Sequence, residues 1–339
     1  MIFSRVYLMF GWALLLTGHH WNPLSLEGLG RSDNSGRLSI SDDISEAEGN
    51  ELGNEASQIL IATYNAHLLP PVANPFAGRR GNSNYRAGAV AEHLDQFDII
   101  GFCEVFSADG SKKLVESFST NRGAGYQVVR GPGRGKLRGT GSGLLLLSRF
   151  PVVQQHELVF QASSRMWRDG RKADGLATKG VLHVVINHQG VLVDLFLTHL
   201  DSLSESVRKK QIEELANFIL IHSDLNRPAF LMGDLNIVGP KRGTPSEEEY
   251  DAMILELSQT TRRRLVDLGS QLTAGTSNPI DPGNADRIDY IFALPSVGDA
   301  TSLKGRVGLA HLLDAKVEEG SLSDHSAVVS KIRLPLKSK

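Results

Sequence analysis

The sequence holds a single cysteine, Cys103, among 339 residues. No intramolecular disulfide and no cysteine-based zinc cluster can form within the chain, so its stability has to come from a packed core. Cys103 lies between Phe102 and Glu104 in an apolar run, the setting of a buried, inert thiol rather than a nucleophile. Net charge is almost absent as well, with 36 Lys+Arg against 38 Asp+Glu for a total of −2. No apolar run reaches the roughly 20 residues that a membrane-crossing helix needs, and there is no internal sequence repeat. With 41% apolar and 22% charged residues, wholesale disorder and a collagen-like chain are excluded. The length admits one large domain or two ordinary ones, and 34 glycines point to many turns.

The near-zero charge conceals an asymmetry. Residues 1–21 carry Arg5 alone, for +1. Residues 22–58 set eight acids against Arg31 and Arg37, for −6, which leaves +3 on the remainder. A mildly basic body suits an anionic ligand. Arg5 followed by the apolar or glycine run of residues 6–16 reads as an export signal. A clean small-x-small cleavage site is lacking, the nearest being Thr17 and Gly18, so an uncleaved N-terminal anchor is the alternative. The polar tract that follows lacks the apolar surface needed to offset ordering entropy. The expected organisation is a signal peptide or N-terminal anchor over 1–21, an acidic flexible linker over 22–58 and a catalytic domain over 59–337, in a secreted or extracytoplasmic protein.

Within the body, short apolar runs predict strands over 59–64, 97–102, 143–147, 180–186, 191–198, 229–232, 287–293 and 326–332, with helices over 86–96 and 204–222. In the second helix Ile212, Leu215, Phe218 and Ile219 share one face. Many strands with few helices imply an α/β (α+β) class, with two packed sheets flanked by helices in one domain.

The predicted strands end in chemically competent side chains. The segments are Thr63-Tyr64-Asn65-Ala66-His67, Gly101-Phe102-Cys103-Glu104-Val105, Phe196-Leu197-Thr198-His199-Leu200, Gly233-Asp234-Leu235-Asn236, Asp286-Arg287-Ile288-Asp289-Tyr290 and Ser323-Asp324-His325-Ser326. Singly each is weak, because Asp and Asn form turns and a lone His is commonly structural. Together, at the carboxyl ends of strands, they describe one rim where catalytic groups gather.

In order and wording these motifs resemble the endonuclease/exonuclease/phosphatase superfamily, with its DNase I-like fold, over roughly residues 59–334. The resemblance implies a four-layer α/β/β/α sandwich and metal-dependent phosphodiester hydrolysis, with Mg²⁺, or Mn²⁺ or Co²⁺, as cofactor. Glu104 is then the hard anionic ligand, beside which Asn65 adds a neutral oxygen. Burying Glu104 unpaired in an apolar strand would be costly, which favours the ligand role. Asp324 is an outer metal ligand or a partner for His199. His325 is the candidate general base, and the resemblance implies that Asp289 orients it. Asp234 alternatively positions or deprotonates the water. Asn236 and His199 donate to the phosphoryl oxygens. His67, His183, His188 and His222 lack such context and read as structural or surface residues.

Two segments are similar to neutral sphingomyelinases. Residues 142–151 are of a kind shared widely in the superfamily, whereas Asp174-Gly175-Leu176-Ala177-Thr178-Lys179-Gly180-Val181-Leu182 is more specific. Its Lys179 either pairs with Asp174 or reaches the substrate phosphate. Arg208-x-x-Gln211 and Thr276-Ser277-Asn278-Pro279 also fit this branch. The implied substrate is the phospholipid sphingomyelin at a membrane surface, cleaved to ceramide and phosphocholine, with no protein partner. Against a bacterial-type membrane hairpin, residues 295–313 contain no Phe, Trp or Tyr. Met166-Trp167, flanked by Arg165, Arg168 and Arg171, is a substitute interfacial element or else a Trp packed under a loop. The alternative function is a secreted DNase I-like endonuclease that grips nucleic acid with a loop carrying Arg130, Arg134, Lys136 and Arg138. A catalytically dead binding module is disfavoured by the complete set of site residues.

Overall fold

The first strand shows how the sequence divides its apolar residues between layers. In β1 (Ala56–Leu68), Ile59 and Ile61 enter one buried cluster while Ala62, Tyr64, Ala66 and Leu68 enter another. Alternation along a strand sends successive side chains to opposite faces, so β1 is covered on both sides. The computed structural model describes residues 56–70, 83–121, 125–133, 141–164, 177–297, 304–317 and 320–335. The export-type leader, most of the acidic tract, Asp174 to Leu176, Met166-Trp167 with its arginines, and Arg134, Lys136 and Arg138 lie outside the described residues.

After β1 come α1 (Ser83–Leu94), β2 (Ile99–Val105), α2 (Ala108–Asn121), β3 (Gln127–Arg130) and β4 (Leu145–Ser148). The chain continues through β5 (Val152–Val159), β6 (Gly180–His188), β7 (Val191–His199), α3 (Glu205–His222), β8 (Ala229–Gly239) and α4 (Glu248–Thr261). It closes with β9 (Val266–Asp267), β10 (Arg287–Leu294), β11 (Lys304–Ala310) and β12 (Ala327–Pro335). The strands form two six-stranded sheets, ordered β11-β12-β1-β2-β4-β3 and β5-β6-β7-β8-β10-β9. Each sheet has one parallel pair at its centre, β1 with β2 and β7 with β8, and antiparallel neighbours elsewhere. A helix supplies each parallel crossover, α1 in the first sheet and α3 in the second, as parallel pairing requires. The topology therefore repeats although the sequence does not.

Three clusters make the layers. Ile59, Ile61, Ile99 and Leu146 from the first sheet meet Val184, Leu195, Leu197 and Met232 from the second. The outer face of the first sheet packs on Val90 and Leu94 of α1 and on Leu114 and Phe118 of α2. The outer face of the second packs on Ile212, Leu215 and Ile219 of α3 and on Met253 and Leu257 of α4. The result is the expected α/β/β/α sandwich. The sheets approach so closely at Gly101 that a Cβ there would lie 2.8 Å from Leu197 Cδ1. Cys103 is fully buried in the inter-sheet cluster, and burial pushes its thiol pKa up, as expected for an inert residue. No helix among the described residues is long and apolar enough to cross a membrane.

Six elements escaped the sequence reading: α2, α4, β3, β5, β9 and β11. Most residues of β5 are exposed, so its apolar content marks no face. β1 and β8 also run further than their apolar runs, to Leu68 and Gly239.

Candidate active site

The functional side chains stand where the two parallel pairings end. Asn65 of β1 lies opposite Cys103, next to Glu104 of β2. His199 of β7 lies opposite Asp234 of β8. Asp289 of β10 pairs in register with Asp234, and Asp324 and His325 lie on the turn that enters β12. Carboxyl ends of adjacent parallel strands thus converge on one cleft, with the two topologically equivalent βαβ units supplying opposite walls.

The backbone is unusual there. His67, Glu104 and Asn236 have φ of 46°, 58° and 52°, and Gly233 has φ of 136°. Left-handed conformations at non-glycine residues cost on the order of 1 kcal/mol each and persist where the surroundings fix them, a common feature of active sites. A Cβ on Gly233 would fall 1.9 Å from the Thr198 carbonyl oxygen, which leaves glycine as the only residue that can precede Asp234 here. Gly233→Ala is expected to destabilise the protein by at least about 2 kcal/mol, read as a lower urea midpoint. An unchanged midpoint would contradict this account of the β7–β8 contact.

His325 is held from both sides. Its Nδ1 is 2.8 Å from Asp289 Oδ2, and its Nε2 is 3.8 Å from Asp234 Oδ2. Thr276 Oγ1 accepts from the backbone N–H groups of Ile288 and Asp289, each at 3.1 Å, and the Thr276 carbonyl accepts from Ser326 N at 2.8 Å. One threonine therefore ties together the segments carrying Asp289 and His325. Ser323 Oγ donates to the Asn65 carbonyl at 2.6 Å and accepts from His325 N at 3.2 Å, anchoring the His325 turn to β1. Between the two walls, Asn65 Nδ2 donates to Asp234 Oδ2 at 2.9 Å, and Asn65 Oδ1 accepts from His67 N at 3.1 Å. Lys179 Nζ lies 2.9 Å from His199 Nε2, which is 3.5 Å from Asp234 Oδ2 and 4.0 Å from Glu104 Oε1. Asn236 N donates to Asp234 Oδ1 at 3.0 Å, and its side-chain amide donates to the Leu200 carbonyl at 3.1 Å. One amide hydrogen of Asn236 is thus committed to the loop after β7.

Every sequence-predicted site residue lies in this cleft: Asn65, Glu104, Lys179, His199, Asp234, Asn236, Asp289, Asp324 and His325. Two readings change in detail. His67, read as structural, has its Nδ1 3.3 Å from Glu104 Oε2 and 3.2 Å from Asp324 Oδ1, so it belongs to the site. The signal was present: His67 follows Asn65 by two residues along one strand, a spacing that returns a side chain to the same face. Asp324 Oδ1 pairs with this His67 and also accepts from Ser323 Oγ at 3.2 Å. Arg208 and Gln211 act beneath the site rather than in it. Arg208 makes a bidentate pair with Glu249, and Gln211 Oε1 accepts from Asp201 N, fixing the loop that follows His199.

The electrostatics set four carboxylates against Lys179 and three imidazoles. Burial pushes the Glu104 carboxyl upward, but the His67 hydrogen bond and the charges of His199, His67 and Lys179 outweigh it and hold Glu104 well below the usual carboxylate range. Burial and the neighbouring Asp289 charge raise Asp234. For His325, burial alone would favour the neutral ring, yet the charges of Asp289 and Asp234 win and raise it well above an ordinary histidine. The donor set suits a hard divalent cation: Glu104 is ionised at the cleft wall with Asp324 beside it. Asp234, Asp289 and His325 offer ligand atoms within 4.8 Å of one another, and Asp289 Oδ1 is buried without a hydrogen-bond partner. Carboxylate oxygens supplemented by water are what Mg²⁺ selects.

Known proteins share this fold. The chain is 23% identical over 214 residues to "Sphingomyelinase C 2" of Leptospira interrogans serogroup Icterohaemorrhagiae serovar Lai, covering 57% of this chain and 32% of that protein. It is 24% identical over 257 residues to "Sphingomyelinase C" of Leptospira interrogans, covering 68% of this chain and 43% of that protein. The matched regions thus span less than half the length of these relatives. A beta toxin variant from Staphylococcus aureus, solved with bound magnesium ions, superposes with a TM-score of 0.59 at 18% identity, over 81% of this chain and 99% of the other. The family model for the "Endonuclease/Exonuclease/phosphatase family" matches residues 62–325. That stretch runs from β1 to His325 and takes in every residue of the cleft, and on it the chain belongs to the endonuclease/exonuclease/phosphatase family of phosphate-ester hydrolases.

Proposed function

We propose that the chain is a divalent-cation-dependent phosphodiesterase that hydrolyses sphingomyelin to ceramide and phosphocholine, outside the cell and at a membrane surface. The observation that carries the phosphodiesterase reading is the convergence of Asn65, Glu104, His199, Asp234, Asp289 and His325 from six separate segments on one cleft. Sphingomyelin is supported by the names of the Leptospira relatives and by the segment before β6, whose Lys179 is 2% exposed beside His199. The near-neutral body gives little grip on a long polyanion. The export-type pattern of residues 1–17 supports the location.

Glu104, with Asp324 and the Asn65 side-chain amide oxygen, is the group that would hold the cation. When bound, the cation supplies charge neutralisation at the phosphoryl group and acidifies its water. The side chains do the rest. A water oxygen forms the new bond to phosphorus, and in line with it the bond from phosphorus to the ceramide oxygen breaks, its electron pair leaving with that oxygen. Asp289 fixes the His325 ring through Nδ1, so that Nε2 faces Asp234 and the cleft and can exchange a proton there. Asp234, buried and receiving the Asn65 amide, positions the water. Lys179, the Asn236 side-chain amide and His199 stabilise the phosphoryl oxygens as charge develops. The leaving ceramide oxygen takes up one proton, which balances the one released by water.

The test is direct. Purified chain is incubated with sphingomyelin liposomes and, separately, with plasmid DNA, each with Mg²⁺ and with EDTA. Release of phosphocholine that EDTA abolishes is the expected result. Cleavage of DNA alone would overturn the lipid assignment, and equal activity in EDTA would overturn the metal assignment.

A further inference from the structure

A second cluster of histidines lies away from the cleft, on the helix-covered outer face of the second sheet. His156 of β5 and His183 of β6 are direct cross-strand partners, and His222 is the last residue of α3. Their three ligand nitrogens all lie within 4.8 Å of one another. The His156 and His222 rings have centroids 4.2 Å apart, and His156 and His183 are 5.7 Å apart.

The central member is built like a metal ligand. His183 is 0% exposed, and Phe196 stacks on it at 4.5 Å with Phe218 edge-on at 6.5 Å. Its Nε2 is 2.9 Å from Asp194 Oδ1, while its Nδ1 is buried without any hydrogen-bond partner. A carboxylate behind one ring nitrogen fixes the tautomer and leaves the other nitrogen as a lone-pair donor, the arrangement found behind metal-bound histidines. A buried nitrogen with no partner otherwise costs free energy. Asp194 is itself fully buried, with Arg227 Nη1 no nearer than 3.8 Å, so a cation beyond His183 would balance it. The carbonyl end of α3 also favours positive charge at His222.

We propose that His156, His183 and His222 form a site for a borderline transition-metal ion of the Zn²⁺ class, which staples edge strand β5 and the end of α3 to β6. Three neutral imidazoles with one open position suit Zn²⁺ or Co²⁺ and not Mg²⁺, which takes oxygen ligands. The site is thus chemically distinct from the carboxylate-rich cleft. Gln154 Nε2 lies 2.8 Å from His156 Nε2. The ion therefore either binds Nδ1, with the Gln154 amide turned to accept from Nε2, or binds Nε2 and displaces Gln154. Both are side-chain rotations at the exposed edge of the sheet. Such a staple gives a chain without disulfides a cross-link between sheet edge and helix.

The full chain, with Mg²⁺ in excess to occupy the cleft, is titrated with Co²⁺ and followed by visible absorption, and in parallel with Zn²⁺ and followed by thermal unfolding. The expected result is one equivalent of Co²⁺ with the intense d–d absorption of a four-coordinate nitrogen site, and a rise in melting temperature with Zn²⁺. His156→Gln and His222→Gln, at the partly exposed positions, each abolish the absorption and the thermal shift. Asp194→Asn weakens Co²⁺ binding by about 10-fold or more. Absence of the band in the wild-type chain, or a band and a Zn²⁺ shift unchanged in both histidine variants, would overturn the proposal. These readouts involve no substrate, so they stand whether or not sphingomyelin is hydrolysed.

Discussion

Replacing Glu104 with Gln is expected to lower phosphodiesterase turnover by about 10³-fold while leaving the protein folded. The amide matches the carboxylate in shape but removes the charge that faces His67 on one side and His199 on the other, at 3.3 and 4.0 Å. It also removes the best hard anionic ligand in the cleft, so residual activity should demand much more Mg²⁺. The carboxylate is kept ionised against its own burial by the surrounding cations. Because the folded surroundings favour the ionised form, neutralising it should also lower the melting temperature modestly. A loss of turnover far larger than that loss of stability, measured well below the variant's melting temperature, separates a functional from a structural Glu104. Turnover within tenfold of wild type would refute its place in the site.

His325→Ala should cost turnover about 10³-fold, within the range of acid–base groups. Asp289→Asn should cost less and reveal more. The Asp289 carboxylate is 2.8 Å from the ring and is the foremost charge raising the His325 pKa. Removing it must lower that pKa, so the ionisation assigned to His325 in the profile of kcat/KM against pH should move toward lower pH. The double variant should be little worse than His325→Ala alone, because residues acting as a unit are not additive. An unchanged profile in Asp289→Asn would show that His325 is not the group titrating in the reaction, and independent losses would show that the two do not act together.

The residues that converge on the cleft were legible in the sequence where several of the elements around them were not, and the reason is physical. Central strands such as β7 and β8 are buried on both faces, so they read as apolar runs, and the polar residue that follows each run, His199 or Asp234, stands out. Edge strands carry no such signature, and β5 and β11 were missed. The helices α2 and α4 hide for another cause, since Ser, Thr and charged residues fill much of their length and dilute the apolar stripe. His67 was misread because a single histidine carries little information. Only the fold brings Glu104 and Asp324, 220 residues apart in number, to the same Nδ1. Thr276 was noticed as a motif, but its work of tying Asp289 to the His325 segment through three backbone contacts could not be read from spacing.

The repeated topology has a consequence for how the molecule assembles. All the strands of the second sheet, β5 to β10, lie in one unbroken stretch of sequence, whereas the first sheet takes β1 to β4 from one side of that stretch and β11 and β12 from the other. Local pairings close with less loss of chain entropy than distant ones and tend to form first. The second sheet can therefore gather His199, Asp234 and Asp289 early. Asn65 and His325 meet them only when β1 zips against β12, with Thr63 opposite Val328 at the end next to the cleft. Assembly of the cleft is thereby tied to the longest-range ladder among the described strands, and the site is complete only once that ladder has formed.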